Sequence, residues 1–252
     1  MSVSGAIRRE VVILDDKEAL SRDAAHRFVF LASQKIRAGG LFHVALSGGS
    51  TPEMLYGLLA ALPFRDDVDW GKVHFFFGDE RAVPPDHADS NSRMANAALF
   101  APLAVPAANI HRMPADGPDL DAAARSYEAE LRTLLADSTD DAIPRFDLIL
   151  LGMGPDGHTA SLFPHKPALQ EKTRLVVASE PGLKPFVPRL TLTFPVLDAA
   201  AHVLFLVAGA DKAATLHKVL SGPADPENLP SQSVAPTDGS LVWLVDHAAM
   251  GQ

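Results

Sequence analysis

The chain has 252 residues, 47% hydrophobic and 21% charged, a composition that suits a soluble globule and excludes a disordered one. Lys and Arg number 22 against 31 Asp and Glu, so the net charge of −9 supplies no basic field for nucleic acid or an anionic membrane. With 0 Cys, disulfides, thiolate nucleophiles, iron–sulfur clusters and Cys-ligated zinc are excluded together.

The first apolar run, Val11–Leu14, is four residues long and ends at two Asp, too short for a signal-peptide core. It reads instead as the first of several short buried strands. The others are Phe42–Leu46, Val73–Phe77, Phe146–Leu151, Leu175–Ala178, Val203–Val207 and Leu241–Val245. Leu190–Phe194 alternates apolar and polar residues, which predicts an edge or half-exposed strand. Helical patterns lie between the strands: Lys17–Ala38, stopped by Gly39-Gly40, then Asp121–Leu135 and Lys212–Leu220. The longest uncharged stretch, Met94–His111, carries Pro102, Pro106, Asn96 and Asn109 and is no membrane span. Strands alternating with helices predict one α/β domain over residues 1–252, with a mostly parallel sheet and helices on both faces. The Pro- and Asp-rich loop Val83–Ser92 is long enough to suspect function, whereas Ser221–Pro236 reads as a surface connection.

Three strand ends carry chemistry. After Leu46 comes Ser47-Gly48-Gly49-Ser50-Thr51-Pro52. Here Thr51 is a suitable N-cap and Pro52 a suitable first helical residue, so free N–H groups at a helix start would receive a phosphate. A plain tight turn is the alternative, and the absence of a Walker Lys excludes a nucleotide P-loop. After Phe77 comes Gly78-Asp79-Glu80-Arg81, three charges that either face a polar cleft or form a solvated loop with an Asp79–Arg81 pair. Ser90 or Asn91 caps the helix that follows. After Leu151 comes Gly152-Met153-Gly154-Pro155-Asp156-Gly157-His158. The GxGxxG spacing is weak evidence for a dinucleotide, because no acidic residue follows a second strand about 20 positions on. His158, held in a glycine-rich loop two positions from Asp156, is placed to act as a general base near neutral pH. Arg189 and Lys212 stand at element ends where each would reach a ligand phosphate. Nothing resembles HExxH or a GxSxG elbow, so neither a metal nor a Ser nucleophile is predicted.

Taken together, SGGSTP, FFFGDERAVP with DHADSN, FDLILLGMGPDGHTASLFP, RLTLTFP and AGADKAATL resemble the 6-phosphogluconolactonase family, in its motif order and over nearly the whole chain. The resemblance implies a Rossmann-like three-layer fold. It also implies metal- and cofactor-free hydrolysis of 6-phospho-D-glucono-1,5-lactone to 6-phospho-D-gluconate in the oxidative pentose phosphate pathway, in the cytoplasm. The catalytic candidates are His158, Arg81, Asp156 and Asp79: His158 as base, Arg81 as oxyanion donor or substrate-orienting group, Asp156 or Asp79 as orienter of the His or partner of sugar hydroxyls. Ser47, Gly48, Gly49, Ser50, Thr51, Asn91, Arg189 and Lys212 are the substrate-binding candidates. Either the Ser47–Thr51 turn or the Arg189/Lys212 cations hold the phosphate. The related glucosamine-6-phosphate deaminases carry a Glu where this chain has Phe163 and Asp-Glu-Tyr where it has Asp79-Glu80-Arg81, which disfavours the deaminase. A non-catalytic sugar-phosphate sensor is the remaining alternative; the residues before Val11 are too few for the DNA-reading module of such regulators.

Overall fold

The structure, a computed structural model, describes residues 9–135 and 142–252. In chain order, β1 (Arg9–Leu14) leads into α1 (Lys17–Arg37). Asp16 caps α1 by accepting from the Ala19 N–H, and Leu20, Ala24, Phe28 and Ala32 form its buried stripe. Next come β2 (Phe42–Leu46), α2 (Ser50–Leu59), β3 (Val73–Phe77), the short β4 (Asp79–Arg81), α3 (Asn91–Ala95) and α4 (Ala101–Leu103). A π turn over Asn96–Phe100 joins α3 to α4. The second half runs α5 (Leu120–Leu135), β5 (Leu148–Leu151), β6 (Val176–Ser179), β7 (Arg189–Leu192), α6 (Phe194–Ala199), β8 (His202–Val207), α7 (Ala213–Ser221) and β9 (Ser240–Asp246).

Six strands form one parallel sheet in the order β1-β9-β8-β5-β2-β3. Side-chain alternation shows that both of its faces are covered. On β1, Glu10 pairs with Arg27 of α1, while the next side chain out of phase, Arg9, lies over Trp243 and donates to the Val219 carbonyl of α7. On β2, Phe42 packs edge-on against Phe28 of α1, while His43 turns to the opposite face, where His74, His111 and Glu130 of α5 line up. Apolar residues pointing both ways explain why the other five strands read as continuous hydrophobic runs, whereas β1, at the sheet edge, is largely exposed, which corrects the reading of Val11–Leu14 as a buried strand. No described helix is long and apolar enough to cross a membrane.

A second, antiparallel sheet of three strands, β4-β7-β6, sits beyond the carboxyl end of β3. This corrects the reading of Leu190–Phe194 as an edge or half-exposed strand. β7 is the central strand and wholly buried, and Phe194 belongs to α6. The threonines of the run alternate because they make internal hydrogen bonds: Thr191 Oγ1 of β7 accepts from the Ser161 N–H, and Thr193 Oγ1, at the N-cap of α6, donates to the Arg174 carbonyl. Sequence periodicity treats such threonines as facing water; here they face the backbone of neighbouring segments.

Candidate active site

The turn after β2 reverses at Gly49, whose φ of +101° is open to glycine and strained for other residues. Gly49, and not Thr51, is the N-cap of α2, with no side-chain cap bond. The predicted start at Pro52 therefore shifts back two residues. Proline costs nothing at the third helical position, because the N–H groups of the first turn have no intrahelical acceptor anyway. The first helical bond runs from the Glu53 N–H to the Gly49 carbonyl at 3.0 Å, which leaves the Ser50 and Thr51 N–H groups at the positive end of the helix. Ser47 is fixed by Tyr56, which accepts from its N–H at 3.0 Å and donates to its carbonyl at 2.8 Å. Burial pushes the Tyr56 phenol far above its ordinary range, so it remains a donor.

Asp79, Glu80 and Arg81 have three separate jobs, and no Asp79–Arg81 pair forms. Asp79 is buried and accepts from Ser161 Oγ at 2.6 Å and from Asn91 Nδ2 at 3.3 Å. Glu80 points away from the cleft and receives the N–H groups of Arg81, Asn91 and Ser92, each at 2.8 Å, so it anchors the start of α3. Burial raises the Glu80 carboxyl above its usual value even against these three donors. Ser90 is the N-cap of α3, accepting from the Arg93 N–H. Asn91 is 2% exposed. Its side chain fills the space in which a Cβ on residue 48 would lie, so it backs the Gly48 turn and does not line the cleft. Arg81 donates from Nη1 to the Asp89 carbonyl at 2.7 Å, while its Nε is buried with no partner.

The loop after β5 brings Asp156 Oδ1 to 2.5 Å from His158 Nδ1. Burial pushes the Asp156 carboxyl up, but the hydrogen bond and charge of His158 outweigh it and hold the group below its usual range. The Nδ1 proton of a neutral His158 is thereby directed at Asp156, and the Nε2 lone pair is left for chemistry. Phe163 lies beneath the imidazole, ring centroids 4.4 Å apart, and under the Arg189 guanidinium at 5.1 Å. From behind, the loop is supported by α7, where Thr215 Oγ1 donates to the Pro155 carbonyl at 2.6 Å, and by Ser221–Pro236, where Ser231 donates its N–H to the Gly157 carbonyl at 2.9 Å. A surface connection in the sequence reading, that segment is a buttress of the His158 loop.

These elements converge on one cleft of about 270 Å³, lined by Ser47, Gly48, Gly49, Asp79, Arg81, His158, Arg189 and Lys212 among the expected residues. Ser50 and Thr51 line an adjoining cavity of about 260 Å³ that shares Gly48, Gly49 and Lys212 with it. Asp156 acts on the cleft through His158. Arg189 is almost wholly buried, and burial lowers its guanidinium from the ordinary value, opposed by Asp79. Its Nη2 donates to the Leu183 and Pro185 carbonyls, and Nη1 lies 3.9 Å from Asp79. Lys184, a cleft residue that the sequence reading missed, sits on the segment pinned by those two bonds. Its signal is weak in sequence: one Lys in a Pro-rich loop is ordinarily a solvated charge. Ser161 was also missed, because its role depends on Asp79, 82 residues away; Phe163, singled out only for standing where the deaminases have Glu, packs against His158, 5 residues away. Among the described residues no group of three or more His, Asp or Glu is arranged to hold a metal ion.

Residues 15–243 match the family described as glucosamine-6-phosphate isomerases/6-phosphogluconolactonase. The chain belongs to this family. A relative described as the 6-phosphogluconolactonase of Synechocystis sp. (strain ATCC 27184 / PCC 6803 / Kazusa) is 43% identical over 240 residues, covering 95% of this chain and 96% of that one. Two solved structures are similar throughout. The 6-phosphogluconolactonase from Trypanosoma cruzi has a TM-score of 0.85 at 29% identity, covering 100% of this chain and 99% of that one. That from Leishmania guyanensis also has a TM-score of 0.85, at 33% identity, covering 96% and 97%. The fold is the α/β architecture expected from the alternation of strands and helices, and both solved structures share it over nearly the whole chain.

Proposed function

We propose that this protein hydrolyses 6-phospho-D-glucono-1,5-lactone to 6-phospho-D-gluconate, in the oxidative branch of the pentose phosphate pathway, as one cytoplasmic α/β domain over residues 1–252 and without a cofactor. The observation that carries the reading is the shared cleft. An imidazole held by a carboxylate, the guanidinium of Arg81, the ammonium of Lys212 and the Gly48–Gly49 turn all border one volume of hexose size.

In this mechanism His158 Nε2 takes a proton from water as the water oxygen attacks the lactone carbonyl carbon. The carbonyl oxygen becomes an oxyanion, which Arg81 stabilises; a donor of this kind is worth about 3–4 kcal/mol. When the oxyanion collapses, the ring C–O bond breaks and the imidazolium returns its proton to the departing ring oxygen, which becomes the C5 hydroxyl. Asp156 keeps the Nδ1 proton in place throughout. Asp79, whose oxygens are already oriented by Ser161 and Asn91, accepts from sugar hydroxyls, and Lys212 with the Ser47–Thr51 turn attracts the phosphate.

Turnover of freshly prepared lactone, corrected for spontaneous opening, tests the reading. His158→Ala lowers kcat by about 10²–10⁴-fold with an unchanged melting temperature. Near-wild-type turnover in that variant removes His158 from the mechanism, and no turnover by the wild type removes the function. Deamination of glucosamine 6-phosphate is disfavoured by Phe163, which is buried under His158 and has no proton to transfer; ammonia release from that substrate would overturn the choice. Binding of 6-phosphogluconate without lactone turnover would make the protein a sensor.

A further inference from the structure

We propose that Lys184 clamps the substrate's phosphate from the outer wall of the cleft, in addition to Lys212 and the Ser47–Thr51 turn, while the buried Arg189 serves to hold the Lys184 segment in place. The proposal rests on the lactonase reading for the identity of the substrate. Four cationic side chains line the cleft: Arg81, Lys184, Arg189 and Lys212. Three are engaged within the protein. Arg81 Nη1 donates to the Asp89 carbonyl at 2.7 Å, Arg189 Nη2 donates to the carbonyls of Leu183 at 3.2 Å and Pro185 at 3.3 Å, and Lys212 Nζ pairs with Asp211 at 3.0 Å. Lys184 is exposed, and its ammonium makes no hydrogen bond or ion pair to another described residue.

Its backbone, by contrast, is fixed. The two carbonyls held by Arg189 belong to the residues on either side of Lys184, so a single guanidinium grips both flanks. That guanidinium rests on Phe163, which packs against His158. A continuous line of buried groups thus sets the distance from the base to the root of the lysine, and the flexible stem above it is free to meet a ligand. An unpaired ammonium is a strongly hydrated point charge, suited to a dianion that is itself strongly hydrated and needs no planar recognition. In this substrate that group is the phosphate, since the lactone ring is uncharged before attack. A free cation at the mouth of a cleft in a chain of net charge −9 also supplies the local attraction that the overall field denies.

The experiment compares wild type, Lys184→Met and Lys184→Arg by equilibrium binding of 6-phosphogluconate and of gluconate, and by steady-state hydrolysis of the phosphorylated lactone. Lys184→Met weakens 6-phosphogluconate binding and raises KM for the lactone, each by about 10- to 100-fold, with kcat within about threefold. The preference for 6-phosphogluconate over gluconate falls by the same factor, and Lys184→Arg recovers most of it. Unchanged 6-phosphogluconate binding in Lys184→Met overturns the proposal, as does an equal loss for gluconate, which would assign the ammonium to the shared part of the ligand. Should the wild type bind 6-phosphogluconate yet leave the lactone intact, the lactonase reading fails and the binding comparison still decides Lys184.

Discussion

Asp156 Oδ1 and His158 Nδ1 lie 2.5 Å apart across a loop that closes on itself, with Gly154 N–H donating to the His158 carbonyl and Gly157 N–H to the Gly154 carbonyl. The carboxylate fixes which nitrogen of the imidazole carries the proton and which way the ring faces. In the proposed mechanism the active form of the base is therefore a property of the loop, formed before substrate arrives.

Asp156→Asn leaves a side chain of the same shape that no longer favours a positive imidazole in the transition state. It lowers kcat by less than the about 10²–10⁴-fold expected for losing the base itself, with KM within about threefold. Steady-state kinetics on the fresh lactone check this. An undiminished kcat would mean that His158 needs no orienting partner.

Gly154→Ala disturbs the same pair by crowding. A Cβ on residue 154 would overlap His158 Nδ1 and press on Asp156 Oδ1, although its backbone angles are open to alanine. The substitution costs about 1–3 kcal/mol of stability by overpacking and reduces kcat. Urea unfolding together with turnover measures both effects; native values for the two would show spare room that the geometry denies.

Ser161→Ala removes the 2.6 Å donor from Asp79 and leaves a buried carboxylate oxygen short of a partner. The expected loss is about 1–3 kcal/mol. A second variant, Asp79→Asn, tests the proposed binding role of Asp79 separately: with its carboxylate as the acceptor for sugar hydroxyls, substrate binding weakens more than in Ser161→Ala. If Ser161→Ala unfolds at the wild-type denaturant concentration, the Ser161–Asp79 bond contributes nothing to the fold.

Acid pH destabilises the protein through carboxylates held low in the native state. Glu171 is held down at about 2, against an ordinary 4.5, by the N–H groups of Arg174 and Thr173. A lowered folded value means that its contribution is complete above about pH 4.5 and is lost as the pH falls toward 2. Asp147 acts in the same direction: burial pushes it up, but His43 and Lys35 outweigh that and hold it below its usual range. Glu171→Gln flattens the fall in unfolding free energy across that window, read from urea melts at several pH values. An unaltered slope would assign the acid sensitivity to other groups.

Strand positions were legible because five of the six strands in the parallel sheet are buried on both faces and are therefore mostly apolar; Phe42–Leu46 and Val73–Phe77 coincide residue for residue with β2 and β3. Misread elements are those whose burial is polar. β4 consists of Asp79, Glu80 and Arg81, three charges that no strand pattern would select, and β7 hides Arg189 and Thr191 at the centre of a sheet. The start of α2 slipped because a single glycine angle, and not a capping hydroxyl, turns the chain there.

Local chemistry belongs to the sequence: a histidine two positions from an aspartate in a glycine-rich loop, a glycine turn at a helix start, and strand-sized apolar runs are short-range features that neighbouring residues specify. Tertiary structure alone decided the rest. It made Asp156 rather than Asp79 the partner of His158, placed Asn91 behind the cleft, turned Arg189 inward and left Lys184 open at the rim. The physical reason is that a charged group's role is set by which partner shares its buried space. Those partners come from segments up to 82 residues away, brought together by the packing of two sheets that no local pattern encodes.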